Sequence, residues 1–116
     1  MNHIYKIFLP GQWADFLRSG LFSGAPIDVA DGYIHLSSKD QSLETAQKHF
    51  SDHDAIVLAR INSDELSNDL RAALKWEVSR GGAKFPHLYA PLPLGAIDAY
   101  WSVEKGGQGF VFPDDF

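Results

Sequence analysis

The stretch LKWEVSRGGAKFPHLY, residues 74–89, decides the fold. Leu74, Trp76 and Val78 alternate with Lys75, Glu77 and Ser79, the period of a strand with two unlike faces. Arg80–Lys84 contains Gly81 and Gly82 and has the length of a hairpin loop, after which Phe85, Pro86, His87, Leu88 and Tyr89 return antiparallel. A symmetric hairpin closed by that five-residue loop sets Ser79 opposite Phe85, Glu77 opposite His87 and Lys75 opposite Tyr89. Lys75, Glu77, His87 and Tyr89 then share one face, while Trp76 and Leu88 point the other way. A carboxylate beside an imidazole favours the imidazolium, and such a pair supports proton transfer. The competing reading is a solvated polar face with a modest cross-strand ion pair.

On the amino-terminal side, Ile4–Leu9 reads as a strand stopped by Pro10 and Gly11. Trp13, Phe16 and Leu17 follow at helical spacing, with Gly20 placed for a left-handed cap. Residues 21–31 show no period, and Gly24 with Pro26 predicts an irregular surface loop. Tyr33–Ser37 alternates as a short strand, and Ser38 with Gln41 predicts a capping box. The helix behind that cap sets Leu43, Ala46, Gln47 and Phe50 on one face. Ala55–Ile61, apolar except for Arg60, predicts a central strand covered on both sides. Asn62–Asp64 predicts a short capped turn, and Ile97, Ala99, Trp101 and Val103 mark the apolar face of a long last strand. Trp13, Trp76, Trp101 and Ile97 are expected inside. Helices early and strands late argue for an α+β fold on a mostly antiparallel sheet.

With 116 residues, of which 45% are hydrophobic, the chain can bury one core, so residues 1–116 read as a single domain. Ten Lys and Arg against fifteen Asp and Glu give a formal charge of -5, which disfavours DNA or RNA duplexes and anionic membrane surfaces. Without cysteine there is no disulfide scaffold, thiolate metal site or cysteine nucleophile. The opening Met1, Asn2, His3, Ile4, Tyr5, Lys6 lacks the features of a secretory signal, and no apolar stretch approaches the roughly 20 residues that cross a bilayer, so a cytoplasmic protein is expected. No phosphate-binding glycine motif follows a strand.

His35 sits in its strand with Tyr33 and Ser37 on the same face, where it can hydrogen-bond a sugar hydroxyl or phosphate or be satisfied by a backbone carbonyl. His49 and His53 have the spacing of two helical metal ligands but lack a third, so a solvated helix end is the expected reading and no metal is assigned. Asp31 reads as a turn residue and Asp114–Asp115 as a solvated tail.

The segments Gly32–Ser37, Leu74–Glu77 and Phe85–Tyr89, together with Ile4–Ile7, resemble domain of unknown function 952, a family of small bacterial proteins, over nearly the whole chain. That family is similar to the ADP-ribosyltransferase-like fold, a split antiparallel sheet with helices alongside that grips NAD or a related nucleotide. His35-Leu36-Ser37 is similar to the motif with which RNA 2′-phosphotransferases of that fold place a His on the nucleotide ribose. The resemblance implies that His35 bonds a ribose or phosphate, with Ser37 and Lys75 beside it. It further implies that Tyr89 or Tyr33 stacks on a base or nicotinamide ring and that Glu77 orients a hydroxyl or stabilises an oxocarbenium-like centre, while the hairpin register sets His87 beside Glu77 as the second catalytic residue. The late-strand Glu spacing and the arginines of those enzymes are not reproduced. The expectation is a protein that binds a nucleotide-like ligand, with glycosyl or phosphoryl transfer on it; no cofactor is required, and NAD would enter as substrate. The alternatives are a non-catalytic binding module on the same fold and a His/carboxylate hydrolase or metal site.

Overall fold

A computed structural model describes residues 3–116. Met1 and Asn2, the start of the stretch read above for a signal, lie outside the described residues. Along the chain run β1 (His3–Phe8), α1 (Pro10–Ser19), β2 (Leu21–Phe22), α2 (Pro26–Asp31), β3 (Ile34–His35), α3 (Lys39–His49), β4 (Ala55–Asn62), α4 (Asn68–Ala73), β5 (Leu74–Val78), β6 (Lys84–Leu88), β7 (Leu92–Pro93), β8 (Ile97–Gly106) and β9 (Gly109–Phe110). The strands form sheets in the orders β1-β4-β8-β9, β3-β6-β5 and β2-β7, and every pairing is antiparallel. The architecture is therefore a mixture of helices and curled antiparallel sheets.

The apolar run Ala55–Ile61 is central, as its pattern requires, because β4 pairs with β1 on one side and β8 on the other. Both faces of this sheet are covered. Ile4, Phe8, Val57, Ala59 and Ile61 pack against Trp13 and Phe16 of α1, against Ile34 and Leu88 of the three-stranded sheet, and against Leu36 just beyond β3. Tyr5, Ile7, Ile56, Leu58 and Val103 pack on the opposite side with Ala46 of α3 and with Phe110. Each buried Val, Leu, Ile or Phe among them stabilises the fold by about 1.5–3 kcal/mol relative to exposure. The two larger sheets meet at one bridge: Tyr5 N–H donates to the Ser37 carbonyl at 2.8 Å, and Ser37 N–H donates back at 2.9 Å.

Several expectations are corrected. Residues 21–31 are not an irregular loop, since Pro26 opens α2 and Gly32 ends it in the left-handed region at φ 87°. Proline inside the start and glycine past the end is a helix signature, here hidden by the shortness of the segment. The capping box holds, with Gln41 N–H on Ser38 Oγ and Ser38 N–H on Gln41 Oε1. The buried stripe of α3, however, is Ser42 and Ala46, leaving Leu43 and Gln47 exposed. Ser42 can be buried because its hydroxyl donates to the Ser38 carbonyl at 2.7 Å and meets Ser37 Oγ at 3.0 Å. Trp13 is buried and Trp101 and Ile97 are half-buried, whereas Trp76 is 47% exposed, because β5 is the edge of its sheet.

Candidate functional site

The hairpin loop is tighter than five residues. Gly82 N–H donates to the Ser79 carbonyl and Ser79 N–H to the Ala83 carbonyl, with Gly81 at φ 65° and Gly82 at φ 81° making the reversal. The register therefore shifts by two: Lys75 stands opposite His87 and Glu77 opposite Phe85, in place of the expected Glu77–His87 and Lys75–Tyr89 pairs. A shift of two preserves faces. Lys75, Glu77, His87 and Tyr89 accordingly share one face, and the register of β3 on β6, with His35 opposite His87, brings Tyr33, His35 and Ser37 onto it as well. Every residue singled out from sequence for the site lies on this face.

Contacts tie the residues together. His87, 3% exposed, meets Glu77 Oε1 through Nδ1 at 3.0 Å across the diagonal, and Tyr89 Oη donates to the same oxygen at 2.6 Å. Those two hydrogen bonds hold the Glu77 carboxyl below the usual range, Tyr89 contributing most, and the same bond pushes the Tyr89 phenol up to about 12. The Tyr33 ring lies 4.1 Å from the His87 ring, 4.7 Å from His35 and 5.2 Å from Tyr89, centroid to centroid. Burial, followed by the charges of Asp31 and Glu77, raises the Tyr33 phenol.

The centre of the site was not foreseen. Asp28, 1% exposed, accepts from the Ala25 and His35 backbone N–H groups at 2.8 and 3.0 Å, meets His35 Nδ1 at 2.6 Å and takes Lys6 Nζ at 3.0 Å. Lys6 also donates to the His35 carbonyl at 3.0 Å. Burial alone would raise the Asp28 carboxyl, but Lys6, the His35 ring and the two N–H groups together hold it below the carboxylate range. Burial lowers the Lys6 ammonium, more than Asp28 raises it. Asp31, read as a turn residue, reaches His35 Nε2 at 2.9 Å. Both ring nitrogens of His35 thus meet a carboxylate.

Lys6, Asp28, Asp31, His35, Ser37, Phe85 and His87 line one cleft of about 560 Å³, which His49 also borders. Ser37 contributes wall more than donor, since its hydroxyl meets Ser42. Among the described residues no group of three His, Asp or Glu is placed to hold a metal ion, and no helix is long and apolar enough to cross a membrane.

The model of the family described as protein of unknown function (DUF952) matches residues 7–100. The chain belongs to the DUF952 family. The crystal structure of protein CC0527 from Caulobacter crescentus is 39% identical, covering 93% of this chain and 91% of that one with a TM-score of 0.83. The solution NMR structure of the same protein is 39% identical over 95% and 91%, with a TM-score of 0.81. No curated protein matches the chain.

In this DUF952 chain two signals pointed to the missed residues. Asp28 is the third residue of a helix opened by proline, where a carboxylate accepts the N–H of the preceding cap. Lys6 is a lone charge in the apolar strand Ile4–Leu9, and such a charge is buried only when paired.

Proposed function

We propose that the cleft binds a nucleotide-like ligand, with NAD, ADP-ribose and nucleoside phosphates as the class, and supports glycosyl or phosphoryl transfer on it. The observation that carries this reading is the pair of imidazoles on the cleft wall, His35 and His87, 5.6 Å apart by ring centroid and each backed at Nδ1 by a carboxylate. Such a pair provides an acid and a base on one reacting centre, each fixed in orientation by its carboxylate. The cleft volume is in the range of small-molecule sites. Tyr33 and the half-exposed ring of Tyr89 offer stacking surface beside the pair, Lys75 brings a cation to the same face, and Glu77 orients His87. The ADP-ribosyltransferase-like resemblance implies these roles for His35, Ser37, Tyr33, Tyr89, Glu77 and His87, of which His35, Ser37 and His87 line the cleft.

The test is calorimetric titration of the purified protein with NAD, ADP-ribose and a nucleoside 2′-phosphate, with product analysis by chromatography. Saturable binding of at least one is expected, and His35→Ala should weaken it by about 1–3 kcal/mol. Failure of the parent protein to bind any of the three ends the nucleotide reading. One observation favours the non-catalytic module: both ring nitrogens of His35 are already engaged, by Asp28 and Asp31. Binding without turnover would select it.

A further inference from the structure

We propose that β5 is an interface between two copies of this chain, which pair edge to edge about a two-fold axis at Trp76 into one sheet running through both. The strand edges of the molecule are not alike. β2, β3, β7 and β9 are two residues long, and β1 is interrupted at Tyr5 by the bridge to Ser37. β8 runs past β9 but carries a register shift at Asp98, one of the irregularities that turn an edge away from pairing. β5 ends the three-stranded sheet with five residues, none of them proline, in unbroken register with β6.

Hydrogen bonds at the two ends of the hairpin fix which backbone groups face outward. Ser79 N–H donates to the Ala83 carbonyl at 2.9 Å and Tyr89 N–H to the Ala73 carbonyl at 2.8 Å. Alternation then turns the groups of Lys75 and Glu77 toward β6 and those of Leu74, Trp76 and Val78 away from it. Pro86, opposite Trp76, agrees: it has no N–H, and its carbonyl accepts from Leu36 N–H on the far side at 3.0 Å. Leu74 N–H is taken by the Arg71 carbonyl at the end of α4. The Leu74 carbonyl and both groups of Trp76 and Val78 remain at the outer edge, where no strand pairs among the described residues.

A second β5 satisfies these groups. In an antiparallel pair centred on Trp76, the facing Trp76 residues exchange their N–H and carbonyl bonds, and each Val78 N–H donates to the opposite Leu74 carbonyl. Lys75 of each copy then stands opposite Glu77 of the other. Charge selects this register. Sliding the pair by two residues either way keeps the alternation but sets Lys75 against Lys75 or Glu77 against Glu77, and like charges directly opposite repel. Both ions can serve: Lys75 is exposed and makes no ion pair among the described residues, while the contacts of Glu77 with His87 and Tyr89 both end on Oε1. On the opposite face Trp76 and Val78, 47% and 65% exposed, gain apolar partners. Since the axis keeps each face continuous, the partner's Lys75 lands beside Glu77 on the face that carries His35 and His87.

One strand a side is a small interface, so association is read against concentration. The experiment is sedimentation velocity of the full chain from micromolar to millimolar concentration, with amide hydrogen exchange at both ends of that range. A monomer–dimer equilibrium is expected. The Trp76 and Val78 amides should gain protection at the higher concentration, and those of Lys75 and Glu77, already bonded to β6, should not. Lys75→Glu and Glu77→Lys should each weaken self-association about tenfold, as both cross-axis pairs turn from attraction to repulsion. Their equimolar mixture should associate, because every contact between positions 75 and 77 then joins opposite charges. Should Glu77→Lys fail to fold, Val78→Pro decides in its place, since it removes an N–H that only the partner uses and should abolish association while keeping the folded spectrum of the parent. A monomer throughout the range, association that survives Lys75→Glu or Val78→Pro, or a mixture of folded charge variants that stays monomeric would overturn the proposal. No ligand enters the assay, so its outcome is independent of the nucleotide reading.

Discussion

At the scale of single residues, the pair Lys6–Asp28 governs the site because it lies in the interior, with side chains 7% and 1% exposed. Removing one partner strands the other charge away from water. Asp28→Asn should therefore cost about 3–5 kcal/mol in urea denaturation, whereas Lys6→Met combined with Asp28→Leu should recover most of the loss, since replacing both charges by apolar groups is often neutral. The pH dependence follows from the depressed Asp28 carboxyl. Its contribution is complete above the unfolded aspartate value of about 3.9 and is lost as pH falls through the lower folded value. Denaturation midpoints measured from pH 5 downward should fall for the parent, and the part of that slope due to Asp28 should be absent in Asp28→Asn. At Glu77 the largest cause of the lowered carboxyl is the Tyr89 hydroxyl, so Tyr89→Phe should raise the Glu77 titration midpoint in carboxyl-carbon NMR. An unchanged midpoint would show that His87 alone holds Glu77 ionised.

At the scale of elements, the β5–β6 hairpin shows how turn chemistry sets register. The glycine pair was legible, and so were the two faces, because alternation is a property of each strand by itself. The loop length was not, because a symmetric five-residue loop and a tighter reversal through Gly81 and Gly82 have the same sequence. Both glycines occupy positive φ, where a Cβ is strained. Gly81→Ala or Gly82→Ala should each destabilise by about 1 kcal/mol or more in thermal melts and loosen the Glu77–His87 contact. The short α2 teaches a related lesson: its six residues are too few for a helical period, so only its proline, its acid and its terminal glycine mark it.

At the scale of the whole molecule, the two cores on opposite faces of the β1-β4-β8-β9 sheet determine which aromatic residues carry stability. Trp13, packed against Phe8 and Phe16 at 5.3 and 5.6 Å, should cost about 3–5 kcal/mol as Trp13→Ala. Trp76→Ala should stay within about 0.5 kcal/mol of the parent, since its side chain lies at a sheet edge. Comparable losses for the two in the same denaturation experiment would contradict the observed burial. By itself the sequence determined the antiparallel α+β character, the central place of Ala55–Ile61, the Ser38–Gln41 cap, and the shared face of Lys75, Glu77, His87 and Tyr89. Each of these rests on period, cap or turn signals carried by neighbours along the chain. Only the tertiary structure decided that Lys6 meets Asp28 across 22 positions, that His35 stands opposite His87, and that Trp76 lies open while Ser42 is closed. Burial and the pairing of charges depend on which element lands on which, and no local pattern encodes that distance in the chain.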